Sequence, residues 1–172
     1  PFVWWIRYLK GWPCDRIAAV EVIRELMKRA KERKYTFYLY GGAPDVLQSM
    51  RVRLEQEYPG VSIVGCHSPP FRPLTPEEDD AVCAEINALK PDILLVGLGT
   101  PKQDYWIDEH LTRIRGSVFV VSGASFDFFG GRVRLAPEWI RRSGFEWLYR
   151  LFSRDFARLW RRYTIFNAIF VY

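Results

Sequence analysis

Little in this sequence is set aside for disulfide or metal chemistry: its 172 residues include three cysteines, Cys14, Cys66 and Cys83, and two histidines. The cysteines are odd in number and lack a C-x-x-C spacing, so neither a disulfide framework nor a zinc site is signalled. His67 and His110 have no acid cluster at ligand spacing, and no Asp-x-Asp pair occurs, so no metal and no cofactor is expected. The two histidines read as solvent-exposed or structural. The full G-x-G-x-x-G and Walker A patterns are missing, which weakens a nicotinamide or P-loop reading. No apolar run reaches the ~18 residues of a spanning helix, and no charged-apolar-small signal segment opens the chain. A soluble or surface-bound cytoplasmic protein is the expectation. The first residue is Pro1 rather than Met, and Phe2-Val3-Trp4-Trp5 begins as though inside a motif, so the chain reads as a fragment.

What is present is the composition of a globular domain, 49% hydrophobic and 26% charged, with an unusual 16% aromatic residues. The formal charge of +5 is not spread evenly. Residues 1–131 carry 16 basic and 17 acidic side chains, whereas residues 132–172 carry nine arginines against three acids, among eleven of the aromatics. An acidic or amphipathic partner is expected at that end.

Short β-branched runs alternate with helical patterns. Helices are predicted over Ile17 to Arg33, Pro44 to Glu57, Thr75 to Leu89 and Lys102 to Leu111, and strands over Thr36 to Tyr40, Val61 to Gly65, Asp92 to Gly97 and Ser117 to Ser122. The last two strands read as buried. Thr75-Pro76-Glu77-Glu78 forms a capping box, and the acids Glu77 to Asp80 suit a helix's first turn. Ser68 to Pro73, with three prolines, must be a loop. Four strands joined by helices imply right-handed crossovers and an α/β fold, an open Rossmann-like, mostly parallel sheet. The expected division is a nucleotide-binding domain over 1–131 and a helical appendage over 132–172. In that appendage Arg150, Arg154, Arg158, Arg161 and Arg162 fall within about 120° of a helical wheel, opposite Phe152, Phe156, Leu159, Tyr163, Phe166 and Phe170. Either the arginine face meets anionic groups while the rings seat in a membrane boundary, or the rings pack on the protein's own core. Arginines among aromatics also suit nucleic acid.

Ligands of open α/β sheets bind where loops leave the carboxyl ends of the strands. Gly41-Gly42-Ala43-Pro44 and Gly97-Leu98-Gly99-Thr100-Pro101-Lys102-Gln103 meet that description. Their glycines either approach a ligand or merely permit tight turns. Thr100 and Gln103 either bind a nucleotide or sugar or cap a helix. Asp127, between two phenylalanines, either positions a sugar hydroxyl or acts as a base, or is a turn acid satisfied by backbone donors.

Ser68-Pro69-Pro70-Phe71, Pro91-Asp92, Gly97 to Trp106, Gly123-Ala124-Ser125-Phe126-Asp127-Phe128, Gly131-Arg132-Val133-Arg134, Ala136-Pro137-Glu138-Trp139, Gly144 to Leu151 and Arg158 to Tyr163 occur in one order. Together they resemble the WecG/TagA/CpsF family of bacterial glycosyltransferases over essentially the whole chain. The resemblance implies inverting, metal-independent transfer of N-acetylmannosamine, its uronic acid or glucose from a UDP-sugar to a polyprenyl-diphosphate-linked acceptor at the inner face of the membrane. With that activity Gly41, Gly42, Gly99, Thr100 and Gln103 are expected to line the nucleotide-sugar pocket, and the arginines of the tail, Arg142, Arg150, Arg154, Arg158, Arg161 and Arg162, are expected to grip the lipid diphosphate. The family's catalytic aspartate is expected upstream of Pro1, with Asp127 as an auxiliary. The expected partners are the donor, the acceptor and an anionic membrane surface, with no nucleic acid; a homo-oligomer is left open. A non-catalytic module built on the Arg and aromatic tail is the rival reading.

Overall fold

Short apolar runs become the strands, and the amphipathic runs between them become helices that return the chain to the same sheet edge. The computed structural model describes residues 2–13, 17–143 and 146–151. In chain order it contains α1 (Phe2–Lys10), α2 (Ala19–Arg33), β1 (Thr36–Gly41), α3 (Pro44–Glu57), β2 (Ser62–His67) and α4 (Pro76–Leu89). These are followed by β3 (Ile93–Gly97), α5 (Lys102–His110), β4 (Val118–Val121), α6 (Ser125–Phe129), α7 (Glu138–Arg142) and α8 (Glu146–Leu151). Residues 16–133 form one compact unit, and residues 1–15 with 134–172 form another.

The strands make an all-parallel α/β sheet in the order β2-β1-β3-β4. β1 and β3 are central and pair Phe37 with Ile93 through to Gly41 with Gly97. Side chains alternate across a strand, so each face has its own core. Tyr38, Tyr40, Leu94 and Val96 pack with Val82, Cys83 and Ile86 of α4, Trp106 of α5, and Ile114. Phe37, Leu39 and Leu95 are fully buried on the opposite face. The right-handed crossover from β1 to β2 places α3 there, where it buries Val46, Leu47, Met50 and Leu54, and α2, which leads into β1, buries Val20, Ile23, Met27 and Ala30.

Local chemistry fixes the ends. At the amino edge Thr36 donates through both its backbone N–H and its hydroxyl to Asp92 Oδ2 at 2.8 Å, and the Asp92 N–H returns a bond to Thr36 Oγ1 at 3.0 Å. These bonds hold the Asp92 carboxyl below its usual range and lock β1 against β3. The Thr75 capping box forms as expected, with Glu78 N–H donating to Thr75 Oγ1 at 3.3 Å and Thr75 N–H donating to Glu78 Oε2 at 2.9 Å. At α2 only half of such a box exists, because Ala18 has no hydroxyl; its N–H donates to Glu21 Oε2 at 3.1 Å.

Two expectations are corrected, the end of β2 and the burial of β4. β2 runs past Gly65 to His67, because Gly65 makes room rather than a turn: a Cβ there would lie 2.5 Å from the Tyr38 ring. β4 is apolar yet lies at the sheet edge, with Val118 63% and Val121 43% exposed. The Gly123 to Gly131 segment contains a short helix, α6. Residues 2–10 are helical, and the helical region after Pro137 is divided into α7 and α8 as far as Leu151.

Candidate active site at the carboxyl edge of the sheet

From β1 the chain turns through α3 to β2, and from β3 it turns the other way through α5 to β4. The two exits part between the central strands, which is where open parallel sheets bind ligands. Three glycines form the floor of that crevice. A Cβ on Gly41 (φ +122°) would lie 2.6 Å from the carbonyl carbon and oxygen of Gly97, so the close strand approach itself requires glycine. Gly42 N–H donates to Gly97 O at 3.2 Å, and the Ser68 hydroxyl donates to Gly42 O at 2.7 Å. A Cβ on Gly97 would lie 2.5 Å from the ring of Phe126, and one on Gly42 3.1 Å from it. Phe126 of α6, fully buried, is thus seated on the glycine floor.

The second loop is built differently. Gly99 (φ +79°) has open space where its Cβ would point. Thr100 is exposed and is not the cap of α5, whose N-cap position is Pro101 without a side-chain cap bond. Instead Thr100 Oγ1 accepts from Gln103 Nε2 at 3.0 Å. Gln103 is only 3% exposed, and its Oε1 has no hydrogen-bond partner among the described residues. The amide lies beside Gly123 at the end of β4, where a Cβ would stand 3.6 Å from Oε1. An orphaned buried acceptor costs about 1–3 kcal/mol, so Oε1 calls for a partner outside the described residues. Asp127, half-buried in the first turn of α6, makes no side-chain hydrogen bond to a described residue; only its backbone oxygen is engaged, by Val133 N–H at 3.1 Å. The reading of Asp127 as a turn acid satisfied by backbone donors is therefore not met.

A column of rings runs under α4 and α5. Tyr40 stacks on His67 with centroids 5.7 Å apart and on Trp106 at 4.2 Å, and Trp106 stacks on His110 at 4.1 Å. Burial, followed by the Asp79 carboxylate, pushes the Tyr40 phenol far up and keeps it neutral. His110 is buried, with Nδ1 2.6 Å from Trp106 O and Nε2 3.0 Å from Asp79 Oδ1. Arg113 bonds Asp79 directly and Asp80 at 2.7 Å. The acids expected only to complement a helix dipole therefore tie α4 to the end of α5. Asp79, Cys83 and His110 bring their ligand atoms within 4.8 Å of one another, but the guanidinium and the ring hydrogen bonds already use the carboxylate and imidazole. The cluster is an ion-paired staple.

The sheet thus brings Gly41, Gly42, Gly99, Thr100, Gln103 and Asp127 to one edge. Arg142 lies in α7 and Arg150 in α8, with side chains outside the description; Arg154, Arg158, Arg161 and Arg162 lie outside the described residues. Sequence reasoning missed the seat of Phe126 and the link from Ser68 to Gly42. The signal available for the first is Gly97, a glycine ending an apolar strand.

The family model for the glycosyl transferase WecG/TagA/CpsF family matches residues 1–172. The chain belongs to this family. WecG/TagA/CpsF relatives include an N-acetylglucosaminyldiphosphoundecaprenol N-acetyl-beta-D-mannosaminyltransferase of Bacillus subtilis (strain 168), 33% identical over 148 residues, 86% of this chain and 55% of that protein. A protein of the same name from Staphylococcus aureus (strain MW2) is 32% identical over 157 residues, 91% of this chain and 59% of that protein. The chain spans less than two thirds of the length of these WecG/TagA/CpsF relatives. None of the described helices is long and apolar enough to cross a membrane.

Proposed function

We propose that this chain carries the donor-binding part of a glycosyltransferase that moves N-acetylmannosamine from a UDP-sugar to an N-acetylglucosaminyl-diphosphopolyprenol. Of the three sugars its motifs allow, this is the one in the names of both relatives. The acceptor hydroxyl attacks the anomeric carbon as the bond to the UDP oxygen breaks, inverting the centre; the hydroxyl proton passes to a base, and UDP leaves as the anion. The loops at Gly42 and Gly99, at the starts of α3 and α5, are suited to the diphosphate. Gln103 Oε1 accepts from an N–H or O–H of the donor, with Thr100 holding the amide. Asp127 serves the sugar as an auxiliary group, and the principal base is an aspartate upstream of Pro1. Arg142, Arg150, Arg154, Arg158, Arg161 and Arg162 grip the lipid diphosphate and anionic headgroups, which keeps the protein peripheral at the membrane.

The observation that carries this reading is the buried, half-satisfied amide of Gln103. The natural-length protein, given UDP-N-acetylmannosamine and a diphosphopolyprenol-linked N-acetylglucosamine, is expected to release UDP and form the disaccharide. Gln103→Leu is expected to lower kcat/KM about tenfold or more. No transfer from this donor, or full activity in Gln103→Leu, contradicts it.

A further inference from the structure

The loop from Ser68 to Thr75 is the one element of the carboxyl edge that the donor reading leaves unused. Phe71 at its centre is 94% exposed, the highest among the large hydrophobic side chains described. Exposed phenylalanines are ordinary on mobile loops, but this loop is braced at both feet. Ser68 donates to Gly42 O at 2.7 Å, so one foot stands on the glycine floor. At the other, Arg72 makes a bidentate pair with Glu78, each bond 2.6 Å, and also donates to Pro73 O at 3.0 Å. Glu78 belongs to the Thr75 capping box, and the Arg72 guanidinium with the Thr75 N–H holds its carboxyl down at about 2. Pro69, Pro70 and Pro73 fix φ along the rest. The ring is therefore held out at little further entropic cost, as a wedge should be.

We propose that Phe71 is a membrane-seating wedge: it enters the acyl boundary of the bilayer and turns the carboxyl edge of the sheet toward the surface from which the lipid-linked acceptor rises. The occupant rests on the functional reading above, since both relatives are named for an undecaprenol-linked substrate. Chemistry on the loop fits a bilayer. Its tip is a ring between prolines, and its one cation is already neutralised by Glu78. The same end of the sheet carries Tyr105 and Lys102, both exposed in the first turn of α5, an aromatic and a cation of the kind that settle at headgroup level. This seat is separate from the arginine tail, because it acts through apolar insertion rather than charge.

The test is partitioning of the natural-length protein onto vesicles of phosphatidylcholine with phosphatidylglycerol. Removing a seated phenylalanine is expected to weaken partitioning about tenfold, so Phe71→Ser falls by that factor at high salt, where arginine attraction is screened. Val52→Ser, which removes an exposed apolar side chain from α3, leaves partitioning unchanged. In Phe71→Trp the added indole is quenched by shallow brominated lipids beyond the parent's own tryptophans. Unchanged partitioning of Phe71→Ser, absence of added quenching, or a parent that does not bind vesicles at all overturns the proposal. So does a Phe71→Ser defect that appears only when the long-chain acceptor is present, which would assign the ring to the polyprenyl chain. A short water-soluble diphosphate acceptor separates the two readings: transfer to it is expected to be untouched by Phe71→Ser. Its absence in parent and variant alike defeats the donor reading and leaves the vesicle result standing.

Discussion

Gln103 and His110 lie at opposite ends of α5, 3% and 2% exposed, and the structure treats them in opposite ways. His110 has an oxygen at each ring nitrogen and a tryptophan ring against its face. Gln103 has one bond, to Thr100, and an acceptor left over. Both are buried polar groups on one helix, so burial alone does not distinguish a structural residue from a site residue. Their partners do: a saturated group stabilises the fold, and the unsaturated one, at the edge where open parallel sheets bind ligands, is the group we propose meets the donor.

Changes at the two ends should therefore move different measurements. The largest effect is expected for His110→Ala, which removes a buried ring from the column and leaves Asp79 with Arg113 alone; a loss of about 3 kcal/mol in denaturant unfolding is predicted, with UDP affinity nearly unchanged. Asp79→Asn is next, at about 2 kcal/mol near neutral pH, discounted because Arg113 is partly solvated. Burial raises the Asp79 carboxyl, but the bonds from Arg113 and His110 outweigh it and leave it below its ordinary 3.8. A depressed carboxyl contributes stability that is present above the unfolded value and lost as pH falls through the folded one. The gap in Tm between parent and Asp79→Asn should thus be constant from pH 7 to 5 and close below 3.8. Gln103→Leu is the smallest in stability, within about 1 kcal/mol of the parent, because an apolar group replaces an orphaned acceptor. Its UDP affinity, read by calorimetry, should fall about tenfold. If Gln103→Leu instead unfolds like His110→Ala, the two ends are alike and the comparison breaks.

Most elements were legible because their signals are local. Thr75 to Glu78 shows a cap within four residues, Pro44 and Pro76 sit where a first turn accepts proline, and Ile93 to Val96 is apolar enough for a central parallel strand. Val118 to Val121 looks the same on paper and is an edge strand, because strand order is a tertiary fact that composition does not carry. Gly65 reads only as a strand end, and Gly97 as either a ligand-approaching or a turn glycine; that each makes room for a ring shows only when Tyr38 and Phe126 are placed against them. At the site, the loops and Gln103 were legible from their place after strands. The pairing of His110 with Asp79 spans 31 residues of sequence, so no local pattern announces it. Of the two roles open to Thr100, capping is not met, because the start of α5 lies one residue further on.

The central claim is that the carboxyl edge around Gln103 holds the nucleotide-sugar. Titrating UDP into the 15N-labelled natural-length protein tests it most directly. Saturable shifts are predicted at the backbone amides of Gly42, Gly99 and Gly123 and at the side-chain amide of Gln103, with the cleft lined by Lys28, Lys31 and Tyr58 unmoved. Shifts confined to that cleft, or none at the four reporters at saturating UDP, would contradict it.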